Sequence, residues 1–212
     1  MKRLIKEHKV FFLFMLLIIT VIIFFCVHHF FNIANDKQIP EDSLAYYVLA
    51  LFTSVILILL AYVKTEEAIE QSRTNYLLRI DERWSSAEIV RAREVIHKLY
   101  LDAKEAYPKY DNEQLKPIIA QAIMELNDNQ DQIEQFIKLL NFLDFLETIG
   151  FLHYKKAITT EEVSELIGNS IIYFYDIFSI YIAYRRRTKD KGFYTKFENL
   201  YLEVKTKCVQ KI

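Results

Sequence analysis

Residue types that carry enzyme chemistry are present in this 212-residue sequence, but their spacing forms no catalytic motif. A phosphate-binding loop needs closely spaced glycines so that backbone amides can approach the ligand, whereas Gly150, Gly168 and Gly192 are isolated from one another. The zinc-protease pattern is absent, and neither His97 nor His153 has a cysteine or a second histidine nearby. The sequence therefore predicts no nucleotide-hydrolysing loop and no metal site.

The acidic and thiol side chains lead to the same expectation. Asp144 and Glu147 are three residues apart beside an apolar stripe, which is typical of a solvated helix edge or of a buried partner for arginine. Cys26 and Cys208 lie at opposite ends of the chain and form no disulfide or metal pattern. Cys208 is an implausible nucleophile because a reactive thiolate needs an ordered, electropositive pocket. We expect no catalytic residue, no metal and no cofactor, and a protein that is not an enzyme.

The most distinctive polar feature is a basic cluster that follows an aromatic segment. It consists of Arg185, Arg186, Arg187, Lys189 and Lys191. The helix dipole favours cations at the C-terminal end of a helix, so the cluster can be explained by helix stability alone. The functional alternatives are contact with anionic lipid headgroups or with a nucleic acid backbone. The cluster is therefore a candidate anion or lipid contact.

Two uncharged runs precede the remaining, more polar sequence. Residues 10–27 carry no charge and extend as an apolar segment to residue 31, and residues 44–63 form a second run without a charge. About 20 helical residues cross the hydrocarbon core of a bilayer, so we expect two transmembrane helices at about 10–31 and 44–63. A signal peptide is the alternative for the first run, but a second span within a dozen residues disfavours it.

The flanking charges predict how these two helices are oriented. Four basic residues precede the first run, whereas the connecting loop holds only Lys37 beside three acidic residues. Basic flanks stay in the cytoplasm, so we expect both termini on the cytoplasmic side of a bacterial inner membrane. Neither run contains a charged residue, which disfavours transport through an intramembrane site. Ala50 and Ser54 form a small-residue pair that predicts close packing with another transmembrane helix.

The rest of the chain predicts an all-α fold. Residues 64–84 contain no Gly or Pro, so we expect the second span to continue through them as a helical stalk, followed by a cytoplasmic helical domain at 85–212. Capping-box patterns at Ser85–Glu88 and Thr159–Glu162 predict helix starts. We also expect Pro117 in the first turn of a short helix at 117–126.

Later helices are predicted by apolar periodicity. A central helix ends at Gly150, and its apolar stripe is Ile133, Phe136, Ile137, Leu140, Leu143, Phe145, Leu146 and Ile149. A short helix to Gly168, an aromatic helix at 170–187 and a final helix at about 192–207 follow.

The end of the stalk predicts a coupling element. Arg79 and Arg83 are four residues apart and share a helix face, and Trp84 ends the helix. We expect this face to pack on the central helix, with an arginine meeting an acid such as Asp144 or Glu147, so that domain movement reaches Ala50 and Ser54 in the membrane. The alternative is an ordinary exposed helix whose surface ion pairs contribute about 0–1 kcal/mol each.

Three stretches carry a resemblance to a known family. Residues 77–86, 92–94 and 139–147 resemble a family of uncharacterised bacterial membrane proteins, which have an N-terminal hydrophobic anchor and a helical cytoplasmic domain. The resemblance covers residues 64–201 and implies no catalytic residues. The layout is also similar to the two-span transmembrane effectors of antiphage systems, including those encoded beside retron reverse transcriptases. This similarity is one of architecture rather than of motif.

Two functional hypotheses follow. The first is a membrane effector of an antiphage or toxin-like module, which compromises the inner membrane when it is released from a protein or ribonucleoprotein partner encoded nearby. Such an effector acts on membrane lipid, and a homo-oligomer is one form that it can take. The second is a membrane-anchored helical interaction module that binds protein or nucleic acid. Exchanging the two spans for an unrelated anchor would discriminate the two hypotheses.

Overall fold

The computed structural model describes residues 41–188 and 191–209, together with single residues 18, 21, 22, 25 and 29. The six α-helices of the described residues are α1 (Glu41–Trp84), α2 (Ala87–Ala106), α3 (Asn112–Asp128), α4 (Ile133–Tyr154), α5 (Thr160–Thr188) and α6 (Thr195–Val209). A 3₁₀ turn at Gln130–Gln132 precedes α4. Every described element is helical, which confirms the expected all-α class.

The chain divides into two compact units, Met1–Glu70 and Gln71–Ile212. Helix α1 is continuous over 44 residues, so the expected single helix from residue 44 to residue 84 is confirmed. Consecutive apolar side chains are exposed in its first half, including Ile56, Leu57 and Ile58. Three successive residues cover most of a helix circumference, so this segment is apolar on more than one face.

One helix of the described part is long and apolar enough to cross a membrane by length and composition, namely α5. Half of its apolar stretch is buried inside the protein, as in a core helix. The two spans expected at 10–31 and 44–63 are not confirmed. The first lies outside the described residues except for five positions, and the side chains before residue 50 in the second also lie outside them.

The second unit is built around α4. This helix packs against α2 and α6, while α5 packs against α3 and α6. The buried residues of α4 are Phe136, Leu139, Phe142, Leu143, Phe145, Leu146, Ile149 and Gly150. The expected central helix is confirmed, but two members of its predicted stripe are exposed. Ile133 and Ile137 are one turn apart on a face of α4 that the described helices leave exposed.

The starts of α2 and α3 differ from the sequence prediction, and α6 begins at Thr195 rather than at about residue 192. The side chain of Ser86, not Ser85, accepts a hydrogen bond from the backbone of Ile89 and caps α2. Helix α3 begins at Asn112, because Asp111 and Gln114 form a capping box five residues before the expected start. Pro117 therefore lies inside α3 rather than in its first turn.

Helix α5 starts as predicted and bends near the predicted break. The backbone N–H of Thr159 donates to Glu162 over 2.7 Å, and the N–H of Glu162 donates to the Thr159 hydroxyl over 3.3 Å, which confirms the capping box. Ile167 has φ −142° and ψ 19°, so a kink replaces the expected separation of two helices at Gly168.

Candidate functional site

Trp84, the last residue of α1, packs against the aromatic core of the second unit. Its ring centre lies 6.1 Å from Phe142, 6.4 Å from Phe145 and 6.1 Å from Phe174. Phe142 and Phe174 contact each other edge to face at 4.7 Å. The α1 terminus therefore inserts a large aromatic side chain between α4 and α5; its ring meets Phe174 edge to face, a geometry that aromatic pairs prefer, and is tilted against Phe142 and Phe145. We call Trp84 and these three phenylalanines the Trp84 cluster.

Arg93 of α2 contacts both the ring and the backbone of Trp84. Its guanidinium carbon lies 4.5 Å from the Trp84 ring centre, and its Nη2 donates to the Trp84 carbonyl oxygen over 3.1 Å. Carbonyls in the last turn of a helix have no partner within the helix, so Arg93 satisfies one of them from outside. Sequence analysis did not assign this residue a role, because no local pattern connects Arg93 with a position nine residues earlier.

The predicted stalk residues occupy different environments. Trp84 packs on the central helix α4, and the Arg83 guanidinium lies 5.4 Å from the ring centre of Phe145. Arg79 is exposed. Among the described residues, Asp144 and Glu147 form no ion pair with Arg79 or Arg83, so the expected arginine contact is not found at these two acids.

The two acids instead contact the segment around the start of α6. Asp144 accepts a hydrogen bond from the Tyr194 hydroxyl over 2.7 Å. Glu147 accepts from the backbone N–H groups of Lys196 and Phe197 over 3.1 and 2.7 Å. These N–H groups lie in the first turn of α6, where a carboxylate also complements the helix dipole. Glu147 is therefore a cap supplied by a distant helix rather than an arginine partner.

Gly150 allows the backbones of α4 and α6 to lie close together, next to the hydrogen bonds of Glu147. A Cβ at this position would lie 2.7 Å from the backbone nitrogen of Phe197 and closer still to the carbonyl group of Lys196. Real Cβ atoms do not occupy such positions, so only glycine fits. Gly150 was expected to end the central helix, but α4 continues to Tyr154 and the glycine is buried inside it. The sequence pattern identified the residue but not its role.

The basic cluster separates into structural and exposed members. Arg186 donates from Nη1 to Glu198 over 2.7 Å and from Nε to the Phe193 carbonyl over 2.8 Å. The Arg185 guanidinium lies 5.2 Å from the Phe193 ring centre. Arg187 and Lys191 are exposed, and Lys189 lies outside the described residues. Arg185 and Arg186, two of the expected anion contacts, therefore make contacts within the protein to the segment between α5 and α6 and to the start of α6.

Glu198 connects this turn to α5. The Tyr175 hydroxyl donates to it over 2.6 Å. Burial alone would raise the pKa of Glu198, but the hydrogen bonds from Tyr175 and Arg186 and the charge of Arg186 outweigh burial and lower it. Burial and the bond to Glu198 raise the pKa of Tyr175, and burial and the bond to Asp144 raise the pKa of Tyr194. Both phenols are therefore held neutral as donors.

A cavity of about 700 Å³ opens where residue Arg73 of α1, the end of α4, the start of α5 and the middle of α6 meet. We call it the His153 cavity, and its polar wall includes Arg73, His153, Tyr154, Lys156, Thr160 and Glu203. The Thr160 hydroxyl donates to Glu203 over 2.9 Å and lies 2.9 Å from Nε2 of His153. Sequence analysis missed this site because its residues come from four separate segments and no two of its cations share a motif.

The predicted small-residue pair lies in the first unit. The Ser54 hydroxyl donates to the carbonyl of Ala50 over 2.8 Å, so its polar group is satisfied within α1. Both residues are exposed. Their packing against another transmembrane helix stays a prediction.

Comparison with known proteins gives one match. A family model described as "Domain of unknown function (DUF4760)" matches residues 48–204, which is more than half of the chain. None of the curated proteins and none of the solved structures is a significant match. The match spans the Trp84 cluster, the basic cluster and the His153 cavity.

Proposed function

This chain belongs to the DUF4760 family, and we propose that it is a membrane effector of a bacterial antiphage or toxin-like module. In this proposal residues 10–31 and 44–63 are two spans in the inner membrane, and both termini lie in the cytoplasm. A protein or ribonucleoprotein partner holds the helical unit inactive. Release of that partner lets the spans act on membrane lipid, as a monomer or a homo-oligomer, and compromise the membrane.

The observation that carries the membrane part is the exposed apolar surface of α1. Leu57, Ile58 and Leu60 are 60%, 66% and 55% exposed within a run that has no charge. Each such side chain costs about 1.5–3 kcal/mol in water relative to burial. Soluble helices expose polar residues on at least one face, whereas a lipid-facing helix is apolar around its circumference. A bilayer supplies the missing apolar environment.

The effector part is supported by the way in which α1 ends. The same helix that carries the exposed apolar residues ends in Trp84, whose ring contacts α4 and α5 and whose carbonyl is held by Arg93. A rearrangement of α4 or α5 therefore acts directly on the end of α1. This provides a physical route by which binding or release of a partner at the helical unit changes a membrane segment.

The decisive experiment is to express the full chain without neighbouring genes and to follow membrane potential with a voltage-sensitive dye. We expect depolarisation and growth arrest after induction. A matched chain in which residues 10–31 and 44–63 are replaced by an unrelated two-span anchor should reach the membrane in equal amount and leave the potential unchanged. Normal potential and growth with the native chain, at confirmed membrane expression, would contradict the proposal.

The second candidate, a membrane-anchored interaction module, is favoured by the open His153 cavity and by exposed Arg187 and Lys191. These features offer contacts for protein or nucleic acid without any action of the spans. The exchanged-anchor chain discriminates the candidates, because a module retains its cellular activity with an unrelated anchor whereas an effector loses it.

A further inference from the structure

We propose that the exposed face of α5 is a contact surface for a second copy of this chain, with the two α5 helices antiparallel. The face consists of Tyr173, Ile180, Ala183 and Tyr184, which we call the α5 strip. The strip lies in the second unit, so the interface does not depend on the proposed action of the spans. It gives a defined contact to the homo-oligomer that the proposed function allows.

The α5 strip has the polarity of a buried surface. Tyr173, Ile180 and Tyr184 are 43%, 37% and 47% exposed, and Ala183 is exposed as well. Over residues 170–186, all of which the structure describes, these four are the exposed positions, and each is aromatic or aliphatic. Spacings of seven and four residues place Tyr173, Ile180 and Tyr184 on one side of the helix. The outward face of a helix in water is ordinarily polar, so an apolar face indicates an interaction site.

The charged residues of the same stretch contact other parts of the protein. Asp176 accepts a hydrogen bond from the Tyr201 hydroxyl over 3.1 Å and lies 3.9 Å from Nζ of Lys116. Arg185 and Arg186 contact the segment between α5 and α6 and the start of α6. A partner can therefore cover the α5 strip with little desolvation of charge, which is the main cost of burying a polar surface.

The two ends of the α5 strip differ in charge. Glu165 is exposed before the strip, whereas Arg187 and Lys191 are exposed after it. Glu161, the other exposed acid near the start of α5, is already paired with Lys207. A two-fold axis across antiparallel helices places the acidic end of each copy against the basic end of the other. A parallel pair would instead bring like charges together at both ends.

The spacing along α5 also suits a pair of helices. Tyr173, Ile180 and Arg187 are seven residues apart, which is the repeat of helices that pack along a common seam. The helix extends about 30 Å between Glu165 and Arg187. Tyrosine and arginine are enriched in protein interfaces. An anionic bilayer is less well matched, because the Glu165 end of the face would be repelled by it.

The first experiment measures self-association of the purified full chain in detergent by sedimentation equilibrium. The test variant is Ile180→Glu, and the matched control is Leu101→Glu, which changes an aliphatic residue of α2 that is 49% exposed. We expect the parent to dimerise. The dissociation constant should rise at least about ten-fold for Ile180→Glu and stay unchanged for the control, because only the first charge enters the interface.

Charge reversal then tests whether a second copy is the occupant. Glu165→Arg and Arg187→Glu should each weaken the dimer by about two- to five-fold, since both ends of the pair become repulsive. A mixture of the two single variants should restore association, because each copy then presents the charge that the other lacks. These two residues are exposed, so this test remains decisive even if Ile180→Glu lowers the melting temperature.

A parent chain that stays monomeric at all concentrations would overturn the proposal. So would equal weakening by Leu101→Glu and Ile180→Glu, or single charge variants that do not regain association when mixed. Loss of binding to phosphatidylglycerol vesicles in Ile180→Glu, at unchanged self-association, would assign the α5 strip to a bilayer instead. Self-association is measured without any membrane potential, so failure of this interface and failure of the proposed membrane activity are distinguishable.

Discussion

The guanidinium carbon of Arg93 lies 4.5 Å from the Trp84 ring centre, and the same side chain donates to the Trp84 carbonyl over 3.1 Å. One residue of α2 therefore contacts both the side chain and the backbone of the last residue of α1. Two independent contacts fix the end of α1 more firmly than aromatic packing alone, because they restrain its position and its rotation.

Arg93→Lys keeps the charge but loses the planar stacking and the N–H geometry. We expect a loss of about 1–2 kcal/mol in unfolding free energy of the full chain in detergent. Trp84 is the single tryptophan of the sequence, so its fluorescence reports this junction directly. A red-shifted emission should accompany the loss. The control is Arg91→Lys on the exposed face of α2, and equal spectra for both variants would contradict a clamping role.

Gly150→Ala should be severely destabilising. The added Cβ meets the backbone of Lys196 and Phe197, which cannot move as a flexible side chain can. Overpacking of this kind costs about 1–3 kcal/mol or more, and the α4–α6 contact must open. Gly168→Ala is the control, because its Cβ would have ordinary contacts at 3.4 Å to Ser164 and 3.5 Å to Val204.

We expect Gly168→Ala to be neutral or to stabilise the helix by up to about 1 kcal/mol. Thermal melting of the purified full chain in detergent measures both variants. If Gly150→Ala melts like the parent, the close approach of α4 and α6 described above is not a constraint on position 150.

Local patterns in the sequence were sufficient for the helical class and for the start of α5. The Thr159–Glu162 capping box is read from spacing alone because both partners lie within one turn. Ser85 and Ser86 are adjacent hydroxyls with equal capping ability, so only the backbone conformation at residue 86 decides which one caps α2. An error of one residue is inherent in such a sequence.

The features that the sequence did not predict depend on contacts between residues far apart in the chain. Glu147 and Phe197 are 50 residues apart, and nothing in either segment indicates the other. Gly150 follows an apolar stripe, as a helix-ending glycine does, and its function as a crossing point depends on the backbone of α6. The His153 cavity likewise depends on four segments meeting. Periodicity predicts which face is buried but not what lies against it.

Glu147→Gln should loosen the first turn of α6. One carboxylate oxygen becomes an NH₂ group that faces a backbone N–H donor, so at least one of the two hydrogen bonds is lost along with the charge. We expect a cost of about 1–2 kcal/mol. Amide hydrogen exchange at Lys196 and Phe197 should accelerate while the exchange of α2 is unchanged.

The control for Glu147→Gln is Glu134→Gln in the same helix. Glu134 pairs with Lys138 on the exposed surface, so its loss should leave the α6 amides unaffected. Accelerated exchange at Lys196 in both variants would indicate a general loosening of α4 rather than a lost cap.

The Glu198 carboxylate makes stability sensitive to acid. Its pKa is lowered from the ordinary 4.5 in the folded chain, so the unfolded chain binds the proton first as pH falls. Stability from this group is present above about pH 4.5 and is lost as pH falls through the folded pKa. Glu198→Gln should flatten the acid side of a plot of melting temperature against pH, whereas the exposed control Asp102→Asn should not.

Tyr194 makes stability sensitive to alkaline pH. Its pKa is raised above the ordinary 10.0, so its contribution is present below pH 10 and is lost as pH rises from there towards the folded pKa. Tyr194→Phe removes this titration and the hydrogen bond to Asp144. We therefore expect a lower melting temperature at neutral pH and a smaller further decrease on the alkaline side. A parallel shift at all pH values would contradict the titration.

The adjacent residues Arg186 and Arg187 should respond differently to the same substitution. Arg186 donates to both Glu198 and the Phe193 carbonyl, and a lysine cannot reach both with matched geometry. Arg186→Lys should lower unfolding free energy by about 1–3 kcal/mol, whereas Arg187→Lys, on the surface, should stay within about 0.5 kcal/mol of the parent. The basic cluster is also a candidate anion contact. If it binds anions, Arg187→Gln with Lys191→Gln should lower the fraction of protein-containing nanodiscs that sediments together with anionic vesicles, while the melting temperature stays unchanged. Loss of stability in that double variant would instead mean that the whole cluster serves the turn between α5 and α6.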